Sequence, residues 1–258
     1  MKNTKKARIL SLILMMAILL GLAPQSQSAV AATSIKWTEN NDLWTNNHDP
    51  YTYSVNSNTL IRTSDAGTET LVTVKLEEWE YLRIVTCIGN YIYLCRDAVD
   101  AMGTDALIVV KYNTWKKKLF KHCAPYRTEG KYMVASKLSP SDVSATISYL
   151  WKLNGFKTKK IKKLKGYGFS ALFYKNKLYY PAYTSPGMHK VTVYRYTKTG
   201  KSPKKLFTIK NKEKYGQIIV DLNQIPQKNI IIANMYGSNQ KYNYQYDLKT
   251  KKLKKVKK

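Results

Sequence analysis

The sequence is short of acidic residues, and this shortage limits the partners it can have. It contains 16 Asp and Glu against 44 Lys and Arg, which gives a formal net charge of +28 at pH 7. A surface of this sign attracts polyanions and is repelled by cationic partners. A second interpretation needs no ligand, because lysines in solvated turns also keep a protein soluble.

Cysteine is scarce as well, with only Cys87, Cys95 and Cys123 in the chain. No C-x-x-C pair is present, so neither a zinc site nor a thioredoxin-like site has support. Cys87 and Cys95 flank the tight-turn pair Gly89-Asn90, so they form a disulfide across a hairpin or remain buried thiols.

Familiar catalytic motifs are missing too. No G-x-S-x-G elbow occurs, and the histidines lack ligand-like spacing, at His48, His122 and His189. We therefore expect no metal and no cofactor. Glycoside hydrolysis needs two positioned acids, and the candidates are scattered, at Asp49, Asp97, Asp142 and Asp221. Three acids share one insertion without the spacing of a calcium loop, at Asp97, Asp100 and Asp105.

The only long apolar run lies at the N-terminus and resembles an export signal. Four cations without an acid precede the run at residues 9–22, and Ala29-Val30-Ala31 follows as a small-x-small cleavage pattern. We expect a signal peptide at residues 1–31, with an uncleaved membrane anchor as the alternative. Loss of those four cations changes the formal charge from +28 to +24. The mature chain, residues 32–258, has no second run of membrane length.

What the sequence has in abundance is a repeated β pattern. An alternating β run, a polar turn and a Lys-rich segment with an apolar pair recur, and the runs end at Arg62, Tyr112, Leu153, Tyr196 and Tyr246. Spacings of 41 to 50 residues with four short β runs per unit are typical of propeller blades. We therefore predict an all-β fold, a β-propeller of about five four-stranded blades, at residues 34–78, 79–125, 126–165, 166–208 and 209–258.

Hairpin signals support this prediction. Residues 84–88 and 91–94 flank Gly89-Asn90, and residues 169–174 and 178–180 flank a Lys-Asn-Lys turn. A sheet of four strands cannot cover its own faces, and radial stacking of blades covers them. We expect the strand-like residues 35–38 to complete the last blade and so close the ring.

The hairpins, the Tyr-Arg-Tyr run that leads to Gly200, and the Lys-Leu-Phe endings resemble secreted bacterial β-propeller repeat proteins, near the TolB-like and low-density-lipoprotein-receptor-like propellers. The resemblance covers most of residues 34–258. It implies a binding or scaffold role and carries over no catalytic residue.

Two residue types indicate possible binding surfaces. Lysines follow the same strand of successive repeats and are expected in turns that gather on one face or the outer rim, at Lys116, Lys117, Lys118, Lys159, Lys160, Lys162, Lys163, Lys201, Lys204, Lys205, Lys251 and Lys252. Tyrosine outnumbers phenylalanine, 21 to 5. Aromatics that could form a sugar-stacking rim, or else pack between sheets, are Tyr149, Trp151, Tyr179, Tyr180 and Tyr183.

These features favour a secreted, non-enzymatic binding or scaffold protein, acting at an anionic cell envelope. The expected partner is an anionic wall polymer or glycan, bound through the Lys-rich turns. One alternative is a module that binds another surface protein, and a second is a carbohydrate-active enzyme on a five-bladed propeller. Nucleic acid fits the charge but not the predicted compartment outside the cell.

Overall fold

The computed structural model describes residues 34–98, 105–137, 146–166, 170–183, 190–210, 219–225, 228–236 and 242–257. Within these residues the chain forms 21 β-strands in five antiparallel sheets. The predicted signal peptide at residues 1–31 lies outside the described residues. In the part of the chain that is described, no helix has the length and apolarity needed to cross a membrane.

Strands that are consecutive in sequence are neighbours in each sheet. Sheet 1 contains β1 (Trp37–Asn40), β2 (Leu43–Asn46), β3 (Thr52–Asn56), β4 (Thr59–Ser64) and β5 (Gly67–Thr73). Sheet 2 contains β6 (Glu80–Ile88), β7 (Tyr91–Ala98), β8 (Ala106–Lys111) and β9 (Lys117–Lys121). Sheet 3 contains β10 (Ala124–Glu129), β11 (Tyr132–Lys137), β12 (Ile147–Lys152) and β13 (Lys159–Lys163).

Sheet 4 contains β14 (Leu172–Tyr174), β15 (Lys177–Tyr183), β16 (Lys190–Thr197) and β17 (Lys204–Lys210). Sheet 5 contains β18 (Ile219–Ile225), β19 (Ile230–Tyr236), β20 (Tyr242–Asp247) and β21 (Leu253–Lys257). The predicted all-β fold of about five blades is confirmed, and sheet 1 carries one strand beyond the usual four.

The extra strand corrects the prediction for residues 35–38. Strand β1 pairs antiparallel with β2 of its own sheet, in a register that places Trp37 opposite Asn46. The two strands are joined by a tight turn, and both turn residues, Asn41 and Asp42, have positive φ. Such a turn returns the chain directly onto itself, so this segment extends sheet 1 and does not complete sheet 5.

The hairpin predicted around Gly89-Asn90 is confirmed, and its register excludes the Cys87–Cys95 disulfide. Gly89 has φ of +50°, as a two-residue hairpin turn requires. This short turn places Cys87 opposite Ile92, while Cys95 lies opposite Arg83 further along β6. The two thiols therefore lie at different levels of the ladder, and both are free and buried.

Four apolar clusters hold the sheets together, and each joins one sheet to the next in sequence. They connect sheets 1 and 2, 2 and 3, 3 and 4, and 4 and 5. Sheets 2, 3 and 4 are thereby covered on both faces. Among the described residues no cluster joins sheets 5 and 1. One face of sheet 1 carries a cross-strand row of threonines that are exposed, except for the half-buried Thr52, namely Thr38, Thr45, Thr52, Thr63 and Thr68.

A tyrosine hydroxyl crosses each of the four interfaces. The partners, from the first interface to the last, are Tyr112 with the Asp49 carboxylate, Tyr93 with the Gly155 N–H (2.7 Å), Tyr196 with the Lys165 N–H (3.0 Å), and Tyr183 with the Val220 N–H (2.8 Å). The ring fills the space between sheets and the hydroxyl binds a polar group of the neighbour. This repeated use accounts for four of the 21 tyrosines.

The two edges of each sheet differ in their surroundings. The first strands of neighbouring sheets approach each other, β6 with β10 and β14 with β18. We call this first-strand edge the inner edge, since sheets that spread like blades are closest near their common axis. The last strands, β5, β9, β13, β17 and β21, form the outer edge.

Candidate functional site

The outer edge of four sheets is made of lysine-rich strands. Strands β9, β13, β17 and β21 read KKLFK, KKIKK, KKLFTIK and LKKVK, with three or four lysines each and no acidic residue. We call these four the outer lysine strands. Strand β5, the outer strand of sheet 1, reads GTETLVT and differs from them.

The predicted lysines are all exposed, but most do not lie in turns. Eight belong to outer strands, namely Lys117, Lys118, Lys159, Lys160, Lys162, Lys163, Lys204 and Lys205. The other four lie in turns or beside them, namely Lys116, Lys201, Lys251 and Lys252. The predicted Lys-rich turns are therefore corrected to Lys-rich edge strands, held in place by pairing with the preceding apolar strand.

In the described part of the chain no acid forms an ion pair with these lysines. Within the described residues the salt bridges join Arg62 to Glu69, Arg83 to Asp97, Arg96 to Glu80 and Lys198 to Glu129. None of them involves an outer lysine strand. Several strand lysines instead contact aromatic rings or carbonyls: Lys160 Nζ lies 4.4 Å from the Tyr149 ring centre, and Lys118 Nζ donates to the Phe156 carbonyl at 2.8 Å. The edge therefore keeps a net positive charge.

The proposed aromatic rim is wrong for four of its five members. Trp151, Tyr179, Tyr180 and Tyr183 are at most 5% exposed and belong to the clusters between sheets. A buried ring cannot stack on a sugar, so these residues serve packing. Tyr149 is partly exposed, and the Lys160 ammonium group covers its ring.

A second surface, which sequence reasoning missed, is a groove of about 220 Å³ at the inner edge. Strand β1 supplies Glu39, and β6 and β10 supply the other lining residues, Arg83, Val85, Tyr126, Arg127 and Thr128. The Tyr126 ring itself packs into the cluster between sheets 3 and 4. Three different sheets thus contribute to one site. Its polar lining combines two guanidinium groups with one carboxylate.

β-Bulges shape both strands that form the walls of the groove. The register of β6 shifts between Ile84 and Thr86, so Val85 is the extra residue. The register of β10 shifts between Pro125 and Arg127, so Tyr126 is the extra residue there. A bulge bends its strand and redirects neighbouring side chains, and bulges are frequent next to functional sites.

The two arginines are held differently. The Arg83 guanidinium donates to the Pro125 carbonyl at 2.7 Å and to the Asp97 carboxylate at 3.3 Å, which ties sheet 2 to sheet 3. Arg127 is exposed, and no ion pair is recorded for it among the described residues. One guanidinium is therefore fixed and the other is available.

A pair of carboxyl groups lies behind Arg83. Burial, followed by the adjacent Asp97, raises the pKa of Asp105 to about 6. The Asp105 residue is only 6% exposed, so a substrate cannot reach its carboxyl group. Ionised Asp105 is therefore unfavourable beside Asp97, and protonation below about pH 6 relieves the repulsion between the two carboxyl groups.

The remaining candidate acids do not gather. Asp49 accepts hydrogen bonds from Tyr53 and Tyr112, and these lower its pKa against the opposing effect of burial. Asp221 in β18 accepts from Ser170 at 2.8 Å and Asn223 at 2.9 Å. Asp100, Asp142 and His189 lie outside the described residues. Among the residues that are described, no three metal-ligating side chains converge.

One sequence signal could have revealed the groove. Glu39, Arg83 and Arg127 are spaced 44 residues apart, within the 41 to 50 residues that separate the repeats. Such a spacing indicates that the three residues lie on the same edge of successive sheets, although they do not occupy equivalent positions of the repeat.

Comparison with known proteins supports the fold alone. No protein-family model matches the chain, and no curated protein sequence does so either. A structure described as an oligogalacturonate lyase in complex with manganese has 12% identity and a TM-score of 0.49, and the match covers 81% of this chain and 62% of that one. A prolyl endopeptidase structure has 11% identity and a TM-score of 0.51, with 87% of this chain and 35% of that one covered.

The chain has a β-propeller fold. It spans less than two thirds of the length of either similar structure.

Proposed function

We propose that this chain is a non-catalytic propeller protein that binds linear anionic polymers through its outer lysine strands. The observation that carries the proposal is the set of four successive edge strands with exposed lysines and no acidic residue. A flexible polyanion can follow such an edge from sheet to sheet. Lysines act there as point charges, which give attraction without strict geometry.

The location and the class of partner follow from the same proposal. The export signal predicted at residues 1–31 and the resemblance to secreted propellers of the TolB-like kind support a place outside the cell. The expected ligands there are wall polymers that carry phosphate and glycans that carry carboxylate. Both have the repeated negative charge that the outer lysine strands need.

The test measures retention on immobilised poly(glycerol phosphate) and hyaluronan across a range of salt concentrations. The test variant replaces five outer-strand lysines that have no recorded contact, Lys159, Lys162, Lys163, Lys204 and Lys205, by glutamine. An exposed ion pair contributes about 0.2–1 kcal/mol, so the loss summed over five lysines weakens binding about fivefold or more at low salt. The salt dependence also becomes less steep, because fewer charges take part.

The matched control removes the same charge elsewhere. It replaces five exposed lysines outside the outer strands by glutamine, namely Lys36, Lys75, Lys131, Lys137 and Lys228. The control retains most of the binding if position matters as well as net charge. Equal loss in both variants contradicts an edge-specific site, and retention that is insensitive to salt favours a protein partner instead.

A further inference from the structure

We propose that the inner-edge groove is a separate binding site for one small, hydroxylated anion, with Arg127 as its principal ligand. The site is independent of the outer lysine strands, because it lies at the opposite edge of the sheets. Its ligand class follows from the side chains that line it, a pair of guanidinium groups together with a carboxylate.

Arg127 supplies the attraction. It is exposed in the groove, and no carboxylate partner is recorded for it among the described residues. A guanidinium group stays charged at every relevant pH and offers parallel N–H donors that match the two oxygens of a carboxylate or phosphate. An anion in the groove is therefore the natural partner for this group.

Arg83 adds a second positive charge that needs no reorganisation. Its guanidinium is already fixed by the Pro125 carbonyl at 2.7 Å and by Asp97 at 3.3 Å. A group that is ordered before binding loses little entropy when the ligand arrives. The Asp97 carboxylate offsets part of its charge, so Arg83 assists and Arg127 dominates.

Glu39 determines which anions fit. Its carboxylate enters the groove from β1, and the described residues provide it with no ion pair. A bare anion is repelled by this charge, whereas a ligand with hydroxyl groups can donate hydrogen bonds to it. The site thus favours an acid that carries hydroxyl groups beside its negative charge.

The volume of the groove suits a single small unit. Its volume of about 220 Å³ is below the roughly 300–1,000 Å³ of pockets that enclose drug-sized molecules. The bulged residues Val85 and Tyr126 both border the groove, one on each wall strand. Each bulge interrupts the regular hydrogen-bond ladder of its strand. Two bulges at the same groove are explained if a ligand binds in the space between the two strands.

Titration with four probes decides whether the ligand's anionic group is a carboxylate or a phosphate. Binding is measured by calorimetry or by amide chemical shifts. Glucuronate carries a carboxylate with hydroxyls, and glycerol 3-phosphate carries a phosphate with a hydroxyl. Acetate lacks the hydroxyls, and glucose lacks the charge. We expect glucuronate or glycerol 3-phosphate to bind, and the tighter of the two identifies the anionic group. Failure of both to bind overturns the proposal.

Variants locate the site. Arg127→Gln lowers the affinity at least tenfold, and Arg127→Lys lowers it less, because lysine keeps the charge without the paired donors. Arg195→Gln, which removes the same charge from sheet 4, leaves the affinity unchanged. Equal loss in Arg127→Gln and Arg195→Gln overturns the assignment of the groove.

Glu39→Ala tests the role of the ligand's hydroxyl groups, because it changes the affinity for the hydroxylated acid and the affinity for acetate in opposite directions. It weakens binding of the hydroxylated acid and strengthens binding of acetate, because it removes the hydroxyl acceptor and the like charge together. Stronger binding of both probes overturns the hydroxyl preference. The five-lysine variant of the outer strands binds these small probes as the wild type does, so failure of polymer binding and failure of the groove are distinguishable.

Discussion

The hydroxyl of Tyr93 provides a direct test of how neighbouring sheets are held together. Tyr93 is 1% exposed in sheet 2, and its hydroxyl accepts a hydrogen bond of 2.7 Å from the buried N–H of Gly155 in sheet 3. Tyr93→Phe removes one oxygen atom and keeps the ring. The apolar contacts between the sheets therefore remain, and the Gly155 N–H loses its acceptor.

The expected cost follows from that orphaned donor. A buried backbone N–H without a partner destabilises a protein by about 1–3 kcal/mol. Tyr180→Phe is the matched control, since Tyr180 is also fully buried, while its hydroxyl makes no hydrogen bond of normal geometry among the described residues. The control change leaves the free energy of unfolding the same or raises it slightly.

Urea denaturation measures both variants against the wild type. Tyr93→Phe lowers the midpoint concentration with an unchanged slope, because the surface exposed on unfolding stays the same. Tyr180→Phe leaves the midpoint in place. Equal shifts of the midpoint in the two variants would refute the argument, since the cost would then come from the lost oxygen and not from the lost hydrogen bond.

Three further substitutions test local features of sheets 2 and 3. Gly155→Ala destabilises the fold by at least about 2 kcal/mol, because φ is +52° and a Cβ would lie 2.2 Å from the Tyr91 ring. Gly89→Ala destabilises the fold less than Gly155→Ala does, because φ is similarly +50° but no atom lies within 4 Å of the added Cβ. Thermal unfolding compares the two variants. Asp105→Asn removes the decline in wild-type stability between about pH 4 and pH 6, where the unfolded chain releases a proton that the folded chain keeps. Urea denaturation at several pH values measures that decline.

Local signals in the sequence were sufficient to predict the hairpin of β6 and β7. Gly89-Asn90 between two alternating apolar runs predicts β6 and β7, because a two-residue turn needs positive φ and fixes the pairing. The number of sheets followed from the repeat length, since each unit needs neighbours to cover its faces.

The strands formed by the lysine-rich segments could not be predicted in the same way. Lys159–Lys163 has the composition of a solvated turn, yet it forms β13 because β12 offers an unpaired ladder edge, with Lys160 opposite Trp151. Pairing with a neighbour overrides weak intrinsic preference. The groove was missed because it depends on side chains from three sheets and on two bulges that no local pattern encodes.

The position of the lysines on outer edge strands has one more consequence. A terminal strand of a sheet offers unpaired N–H and C=O groups to which another chain can add, and charged side chains oppose that addition. In this molecule the same ammonium groups that attract a polymer also keep the blades of separate molecules apart. Whatever neutralises them, by mutation or by a bound polyanion, also removes the barrier to edge-to-edge aggregation.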